Sequence, residues 1–109
     1  MKYEVLYTAR AKKDLQDIFR YISEELFALD SAVGQTKRII NEIQKLDTLP
    51  NRNRLYEKEP WHSKGLRFFP VNKYLIFYKT DIETEVVYVI RIIYSGRDVH
   101  KQLSQTEEF

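Results

Sequence analysis

Residues 65–80, GLRFFPVNKYLIFYKT, and residues 85–98, EVVYVIRIIYSGRD, together specify most of the sheet. β-Branched and aromatic residues dominate both segments, which favours strands over helices. Residues 81–84, DIET, are polar enough for a tight connection between two of these strands. Together they predict an antiparallel meander of three strands, at about residues 66–71, 74–80 and 85–94.

A strand and an amphipathic helix are predicted upstream of the meander. Residues 2–7 alternate between polar and apolar, as a half-buried strand does, and end at Thr8, a residue type that caps helix N-termini. Apolar residues then recur at helical spacing, which predicts a helix from about residue 9 to 27. We expect its apolar stripe to face the core, and the stripe consists of Leu15, Ile18, Phe19, Ile22 and Leu26.

A second helix follows, with Asp30 and Ser31 as candidate caps. Pro50 closes it, because proline lacks a backbone donor and disfavours helix in the residue before it. Its apolar positions are Ala32, Ile39, Ile40, Ile43 and Leu46. Residues 51–62 show no period and predict a long loop, and a short helix over residues 100–105 follows the last strand. The predicted fold class is α+β: an N-terminal strand, an antiparallel helical hairpin, the three-stranded meander and a short C-terminal segment.

Composition indicates one globular domain spanning residues 1–109, with 43% hydrophobic and 31% charged residues. No apolar run approaches the length of a membrane span, and the N-terminus lacks the pattern of a secretion signal, so we expect a cytoplasmic protein. There is no cysteine, and the two histidines, His62 and His100, lie far apart, so we expect neither a metal nor another cofactor.

Charge is concentrated in the middle of the chain. Residues 35–80 carry 10 cations and 4 anions, although the net charge of the whole chain is only +2. Such a basic stripe suits an acidic partner, which is either a nucleic acid or an acidic protein segment.

Both faces of the predicted sheet are apolar. On the second strand of the meander, Tyr74, Ile76 and Tyr78 share one face, while Leu75 and Phe77 share the other. The last strand alternates likewise, with one set at 87, 89 and 93 and the other at 86, 88, 90 and 92. One helical hairpin covers only one face. We expect the second face to be closed partly by the C-terminal segment and otherwise by another polypeptide, the alternative being cover by the chain's own loop and tail.

The order of these motifs resembles the RelE/ParE family of bacterial toxins, and the ParE branch more than the RelE branch. In that family a leucine-arginine strand, a Tyr-x-Ile-x-Tyr strand and a hydrophobic strand ending in an Arg-Asp turn follow a helical hairpin. Leu66-Arg67, Tyr74 to Tyr78 and the segment 91–98 occupy those places here. The resemblance implies the toxin of a type II toxin–antitoxin pair, whose antitoxin partner wraps the sheet. We assign Leu75, Phe77 and Trp61 to antitoxin binding.

One mode of action that the resemblance implies is RelE-like cleavage of messenger RNA on the ribosome, which needs a base, an acid and cations around the phosphate. Relatives with this activity commonly carry an arginine where this chain has Leu75 and a histidine where it has Tyr94. The remaining candidates are Arg67, Arg91, Tyr94 and Arg97, with Glu57, Glu59 or His62 as base.

The mode that we favour is inhibition of DNA gyrase by binding, which the ParE resemblance implies and which needs no catalytic residue and no sequence-specific DNA contact. We assign target binding to Arg67, Lys73, Arg91 and Arg97. Arg91 is notable because it lies within an apolar strand, where its charge must find a partner. Arg97 and Asp98 form either a functional pair or a turn-stabilising one. A third alternative is a binding module without toxicity, because a fold does not dictate function.

Overall fold

A computed structural model describes residues 2–106 of the chain. The elements follow in the order β1 (Glu4–Tyr7), α1 (Ala9–Arg20), a π-helical turn (Tyr21–Glu25), α2 (Leu29–Gln44), 3-10 turns at Lys45–Asp47 and Pro50–Arg52, β2 (Arg67–Val71), β3 (Tyr74–Asp81), β4 (Val86–Tyr94) and α3 (Val99–Ser104). The α+β architecture predicted from the sequence is confirmed.

The four strands form one mixed sheet in the order β1-β4-β3-β2. β2, β3 and β4 make the predicted antiparallel meander, and β1 adds to β4 in parallel. The helices α1 and α2 pack on one side of the sheet, here called the helix face, and the opposite side is called the loop face. The helix-face core contains Ile39, Ile43 and Leu46 of the hairpin against Ile76 and Val89 of the sheet.

The helix termini differ in detail from the predictions. Thr8 caps α1 as expected, because its side chain accepts a hydrogen bond from the Ala11 N–H at 3.1 Å. The predicted single helix to residue 27 instead passes into the π-helical turn and stops at Phe27, whose φ of 50° is left-handed. α2 begins at Leu29 with no side-chain cap, so the caps assigned to Asp30 and Ser31 are wrong.

The end of α2 and the exposure of two residues in the predicted apolar stripes also differ from expectation. α2 ends at Gln44, and Pro50 does not close it but begins a separate 3-10 turn. Two positions assigned to apolar stripes, Leu26 and Ile40, are exposed. Leu26 lies beyond the last regular turn of α1, where the helical period no longer applies.

A β-bulge changes the facing of β4. Phe77 pairs with Arg91 and Tyr78 with Val89, which leaves Ile90 as an extra residue. The bulge shifts the alternation by one position, so Ile92 joins the helix-face core and Ile93 the loop-face core. The prediction placed these two isoleucines the other way round and is wrong beyond the bulge.

The loop face is closed mainly by the chain itself. Its buried cluster consists of Trp61, Leu66, Phe77, Ile90, Ile93 and Leu103. The 53–66 segment follows the free edge of β2, where Leu55 bridges to Arg67 and the Tyr56 N–H donates to the Leu66 carbonyl at 2.7 Å. The C-terminal segment therefore closes part of this face through Leu103, as predicted, and the chain's own loop covers more of it than expected. Contact of another polypeptide with the remainder stays a prediction. The β1 end of the face stays open, at Leu6 and Tyr88.

Candidate functional site

Arg91 has a partner within the chain. Its Nε donates to one carboxylate oxygen of Asp14 at 2.7 Å, and one terminal nitrogen donates to the other oxygen at 3.1 Å. The second terminal nitrogen donates to the Gln102 carbonyl of α3 at 3.0 Å and to the hydroxyl of Thr106, which follows α3, at 2.9 Å. Both charged side chains are buried. Arg91, which we assigned to target binding, therefore fastens α1 and α3 to β4.

The position of Asp14 follows from the length of β1. β1 pairs with β4 only as far as Val89, so the edge of β4 beyond that residue has no neighbouring strand. The Asp14 carboxylate takes the place of a strand there, because it accepts the Ile92 N–H at 2.9 Å. An unpaired buried N–H would be costly. Asp14 thus accepts hydrogen bonds both from the Arg91 guanidinium and from the Ile92 N–H on the edge of β4.

Next to this edge lies a cleft of about 1080 Å³ between α1, the π-helical turn and the ends of β3 and β4. We call it the tyrosine cleft, because Tyr21, Tyr74 and Tyr94 line it together with Lys73 and Arg97. Apolar side chains of α1 and of the helical hairpin tip also line it, among them Ile18, Ile22 and Leu26. The lining from the sheet is aromatic and cationic, whereas the lining from α1 is mixed, because Arg10, Asp14 and Asp17 contribute to it as well.

The three tyrosines lie close enough to influence one another. The rings of Tyr74 and Tyr94 meet edge to face with centroids 5.9 Å apart. Burial raises the pKa of the Tyr74 hydroxyl, and the neighbouring Tyr94 and Tyr21 raise it further. Gly96 leaves room for this arrangement, since a Cβ at this position would clash with the Tyr94 ring.

Lys73 and Arg97 lie at the same end of the sheet, because a hydrogen bond joins the turn before β3 to the turn after β4. Lys73 follows Asn72, whose φ of 53° makes the tight turn between β2 and β3. The Ser95 N–H, in the turn after β4, donates to the Lys73 carbonyl at 2.8 Å. Both cationic side chains are exposed, and within residues 2–106 neither has a hydrogen-bond or ion-pair partner. Asp98 does not pair with Arg97 and instead caps α3 through the Lys101 N–H at 3.1 Å.

Arg67 lies away from this edge. It pairs in register with Tyr78, whereas Tyr94 pairs with Tyr74. Four strand positions separate the two pairs, which at about 3.3 Å per residue is roughly 13 Å. One terminal nitrogen of Arg67 donates to the Asn53 carbonyl at 2.7 Å. Of the four predicted cationic anchors, Lys73 and Arg97 are therefore exposed at the same end of the sheet. Arg91 is buried in an ion pair, and Arg67 lies apart from the other three.

The loop residues considered as a general base do not line the cleft. Glu59 accepts hydrogen bonds from the Ser63 hydroxyl at 2.7 Å and from the Ser63 N–H at 2.9 Å. These bonds lower the pKa of its carboxyl group, which makes it a weaker base. His62 and Glu57 are exposed on the same loop. None of the three joins Arg97 and Tyr94 in one site.

The residues assigned to antitoxin binding lie on the loop face. Phe77 and Trp61 are buried there, and Leu75 is partly exposed. Tyr56 packs edge to face on Trp61 and Phe77, with centroid distances of 5.9 and 5.5 Å. In this conformation Leu75 offers a partner more surface than the other two residues do, and their assignment remains a prediction.

Sequence reasoning missed Asp14 and Tyr21. A signal for Asp14 was present: it falls three residues after Ala11 and four before Ile18, on the buried side of α1, where an acidic side chain needs a cation. Tyr21 gave no such signal, because its place in the cleft depends on the π-helical turn.

Within the described range 2–106, no set of three histidine or acidic side chains could hold a metal ion. No helix in that range is long and apolar enough to cross a membrane.

Comparison with solved structures finds the same fold in chains from toxin–antitoxin systems. A chain from a chromosomal ParDE toxin–antitoxin system of Pseudomonas aeruginosa superposes with a TM-score of 0.70 at 17% identity, covering 85% of this chain and 96% of that one. A chain from the RelBE2 toxin–antitoxin complex of Mycobacterium tuberculosis gives 0.65 at 18% identity, with coverage of 89% and 95%. A free mutant of the Escherichia coli toxin RelE gives 0.64 at 14% identity, with coverage of 97% and 95%.

These identities establish likeness of fold alone. No curated protein matches the sequence significantly. The family model described as the ParE toxin of the type II toxin–antitoxin system parDE matches residues 5–99, which is most of the chain. This chain therefore belongs to the ParE toxin family of type II toxin–antitoxin systems.

Proposed function

We propose that this chain is a toxin that inhibits DNA gyrase by binding it, and that a cognate antitoxin encoded beside it neutralises it. The observation that carries this proposal is the dispersal of the nuclease candidates. Arg91 is buried against Asp14, Arg67 lies roughly 13 Å along the strand from the Tyr94 position, and Leu75 stands where a phosphate-binding cation would be needed. An RNA-cleaving site requires these groups around one phosphate.

A toxin that acts by binding requires fewer precisely placed groups than an RNA-cleaving enzyme does. It needs an exposed surface with cationic and aromatic anchors, and the mouth of the tyrosine cleft supplies Lys73, Arg97 and Tyr94. Arg91 contributes indirectly, because it fixes β4 and α3 on either side of the Arg97 turn. Among the predicted anchors, Lys73 and Arg97 are thus the pair that a target can reach from one side.

Two assays on one preparation test the proposal. We expect the purified chain to block supercoiling by gyrase and to leave ribosome-bound messenger RNA intact. The double variant Lys73→Glu/Arg97→Glu should lose most of this inhibition, whereas Lys12→Glu, which alters an exposed cation of α1, should keep it. Normal supercoiling at saturating toxin together with cleaved message would establish the RelE-like alternative instead. If neither assay responds, the chain is a binding module without toxicity.

A further inference from the structure

A second group of cations lies away from the tyrosine cleft. Its members are not among the residues that line the cleft. Gln35 of α2 does line it, whereas Lys45, just past the end of α2, lies about 15 Å further along the helix axis. We call this second surface the arginine patch, and it consists of Arg38, Lys45, Arg52, Arg54 and Arg67.

The patch members on and just after α2 share one acidic neighbour, Glu42. Arg38, Glu42 and Lys45 follow at spacings of four and three residues, which places them on one face of the helix. Lys45 donates to the Glu42 carboxylate, and this hydrogen bond, together with the charges of Arg38 and Arg52, lowers the pKa of that carboxyl group. Three cations of the patch therefore lie near a single carboxylate, which Lys45 already engages.

Arg52 connects these groups to the loop and to β2. One of its terminal nitrogens donates to two backbone carbonyls that follow α2, at 3.2 and 2.6 Å. Burial raises the pKa of the Tyr78 hydroxyl, and the charges of Arg67 and Arg52 partly offset this rise. Both arginines therefore lie near the same hydroxyl group, and Arg54 follows Arg52 by two residues.

Three of the four arginines are held in place by neutral groups. Arg52 and Arg67 each donate to backbone carbonyls through one terminal nitrogen. The guanidinium carbon of Arg54 lies 4.7 Å from the centroid of the Phe68 ring. Within residues 2–106, neither these three nor the exposed Arg38 forms an ion pair with a carboxylate. All four keep their charge and free N–H donors, and a planar guanidinium pairs well with a phosphate.

The acidic residues around the patch leave it positively charged. They are Glu42, Asp47, Glu57 and Asp81. Lys45 binds the first, and Lys2 pairs with the second at 3.9 Å. The third is exposed on the loop. The fourth begins the acidic β3–β4 turn, three positions along β3 beyond the strand partner of Arg67, which is roughly 10 Å.

We infer that the arginine patch binds the phosphate backbone of duplex DNA without reading its sequence. The cations are spread over a surface, since Arg38 and Lys45 alone are about 10 Å apart along the helix axis, so they suit a row of phosphates and not a single one. The inference goes beyond the proposed function, because it concerns another surface and does not require gyrase. Together, the two surfaces would let one toxin molecule contact gyrase and the DNA that gyrase holds.

The rings beside the arginines favour a duplex over a single strand. Proteins bind single strands by stacking the bases on aromatic rings. Tyr78 is buried, and Phe68 is covered by Arg54 and stacked on Phe77 with centroids 5.5 Å apart. These rings are already engaged within the chain, so the patch offers its charges and donors to phosphates and not its rings to bases.

An acidic protein segment is the other partner that positive charge attracts. Such a segment would also need apolar anchors. Leu49, which is 75% exposed next to the turn that carries Arg52, is the side chain that it would use. DNA phosphates have no use for a leucine, so the substitution Leu49→Ser distinguishes the two partners.

The test measures binding of the full chain to a labelled duplex of mixed sequence, about 30 base pairs long, by fluorescence anisotropy over a series of salt concentrations. Each phosphate contact contributes about −0.9 to the slope of log K against log salt, so five contacts predict a slope of about −4 to −5. Arg38→Gln/Arg54→Gln should make this slope shallower by about two and weaken binding about tenfold at low salt. Arg52 and Arg67 are left unchanged, because their bonds to carbonyls also support the fold.

The matched control is Lys73→Gln/Arg97→Gln, which removes the same charge at the tyrosine cleft. This variant and Leu49→Ser should bind DNA as the wild type does. All these positions lie on the surface, and circular dichroism verifies that each variant is folded.

Weaker binding and a shallower slope in the patch variant alone support the inference. Equal loss in both charge variants would overturn it, since net charge would then govern binding, and so would absence of binding at low salt. Tighter binding of a single-stranded RNA of the same length would overturn it in favour of RNA. Displacement of the duplex by an acidic peptide of glutamate and leucine, lost in Leu49→Ser, would overturn it in favour of a protein segment.

The inference and the proposed function fail separately. If the chain binds DNA through Arg38 and Arg54 but does not inhibit gyrase, the target assignment fails and the inference stands. If the chain inhibits gyrase but the patch variant binds DNA as the wild type does, the inference fails and the gyrase assignment stands.

Discussion

The two faces of the sheet are both buried, but by different means. The helix face is covered by α1 and α2, of 12 and 16 residues, whose side chains interlock with Ile76 and Val89. The loop face is covered by the irregular 53–66 segment and by α3, which has 6 residues. Regular helices bring their own backbone hydrogen bonds, whereas the loop-face cover depends on a few buried side chains, Trp61 and Leu66 in the loop and Leu103 in α3. The apolar residues of the strands thus predict that both faces of the sheet are buried, but they do not specify which segment buries each face.

The largest loss of stability is expected at the ion pair between Asp14 and Arg91, which links α1 on the helix face to α3 on the loop face. Asp14→Ala leaves the Arg91 guanidinium buried without its carboxylate and the Ile92 N–H without an acceptor. We expect the free energy of unfolding to fall by roughly 3–5 kcal/mol, measured by urea denaturation. Asp17→Ala, which removes an exposed pair with Lys13, should cost at most about 1 kcal/mol. Similar costs for the two variants would mean that Asp14 is not the link between the covers.

Truncation within each core compares the two covers directly. Ile43→Ala on the helix face should cost about 3–4 kcal/mol, and Leu103→Ala on the loop face about 2 kcal/mol, although both residues are buried. The difference arises because a short terminal helix can shift to close a cavity more easily than the paired long helices can. Urea denaturation gives both values, and equal losses would show that the loop face is packed as firmly as the helix face.

High pH should weaken the helix face more than the loop face. Burial raises the pKa of Tyr78 on the helix face and of Tyr56 on the loop face. A raised pKa in the folded state contributes stability that is complete below the unfolded value of about 10 and is lost as pH rises through the folded value.

The variants Tyr78→Phe and Tyr56→Phe measure these two contributions. Tyr78→Phe also loses the hydroxyl's hydrogen bond to the Pro50 carbonyl at 2.5 Å, which costs about 1 kcal/mol at neutral pH. Above pH 10 or so, its stability should fall less steeply than that of the wild type. Tyr56→Phe should flatten the curve less, because Tyr56 is only partly buried whereas Tyr78 is fully buried. An equal or larger effect of Tyr56→Phe would contradict this ranking.

The smallest effect is expected at the hairpin tip, which belongs to neither core. Phe27→Gly should raise the free energy of unfolding by about 0.5–1 kcal/mol, because glycine accepts the left-handed conformation and an exposed ring is removed. Leu26→Gly, at a right-handed position next to it, should lower it instead. Thermal unfolding of both variants measures the change, and a loss for Phe27→Gly would show that the ring packs in the folded chain.

Much of the fold could be predicted from local patterns in the sequence, whereas the candidate site could not. The meander and the helical hairpin were predictable because their apolar periods are long and regular. The facing of Ile92 and Ile93 was not, because one extra residue at Ile90 leaves no mark in the composition. The tyrosine cleft was not either, because it joins Tyr21 to Tyr94 across most of the chain and depends on a π-helical turn. Arg91 was noticed for its charge, but its partner Asp14 is 77 positions away.

The Asp14 carboxylate of α1 fills a place beside β4 that a strand of another molecule could otherwise take. Sheet edges with unpaired N–H and C=O groups recruit strands from other copies, which leads to aggregation. Here Asp14 accepts the Ile92 N–H of β4 beyond the end of β1, and Pro70 of β2, on the opposite side of the sheet, has no N–H to offer. These two positions are therefore poor templates for a strand of another copy, which lowers the tendency of free molecules to pair edge to edge.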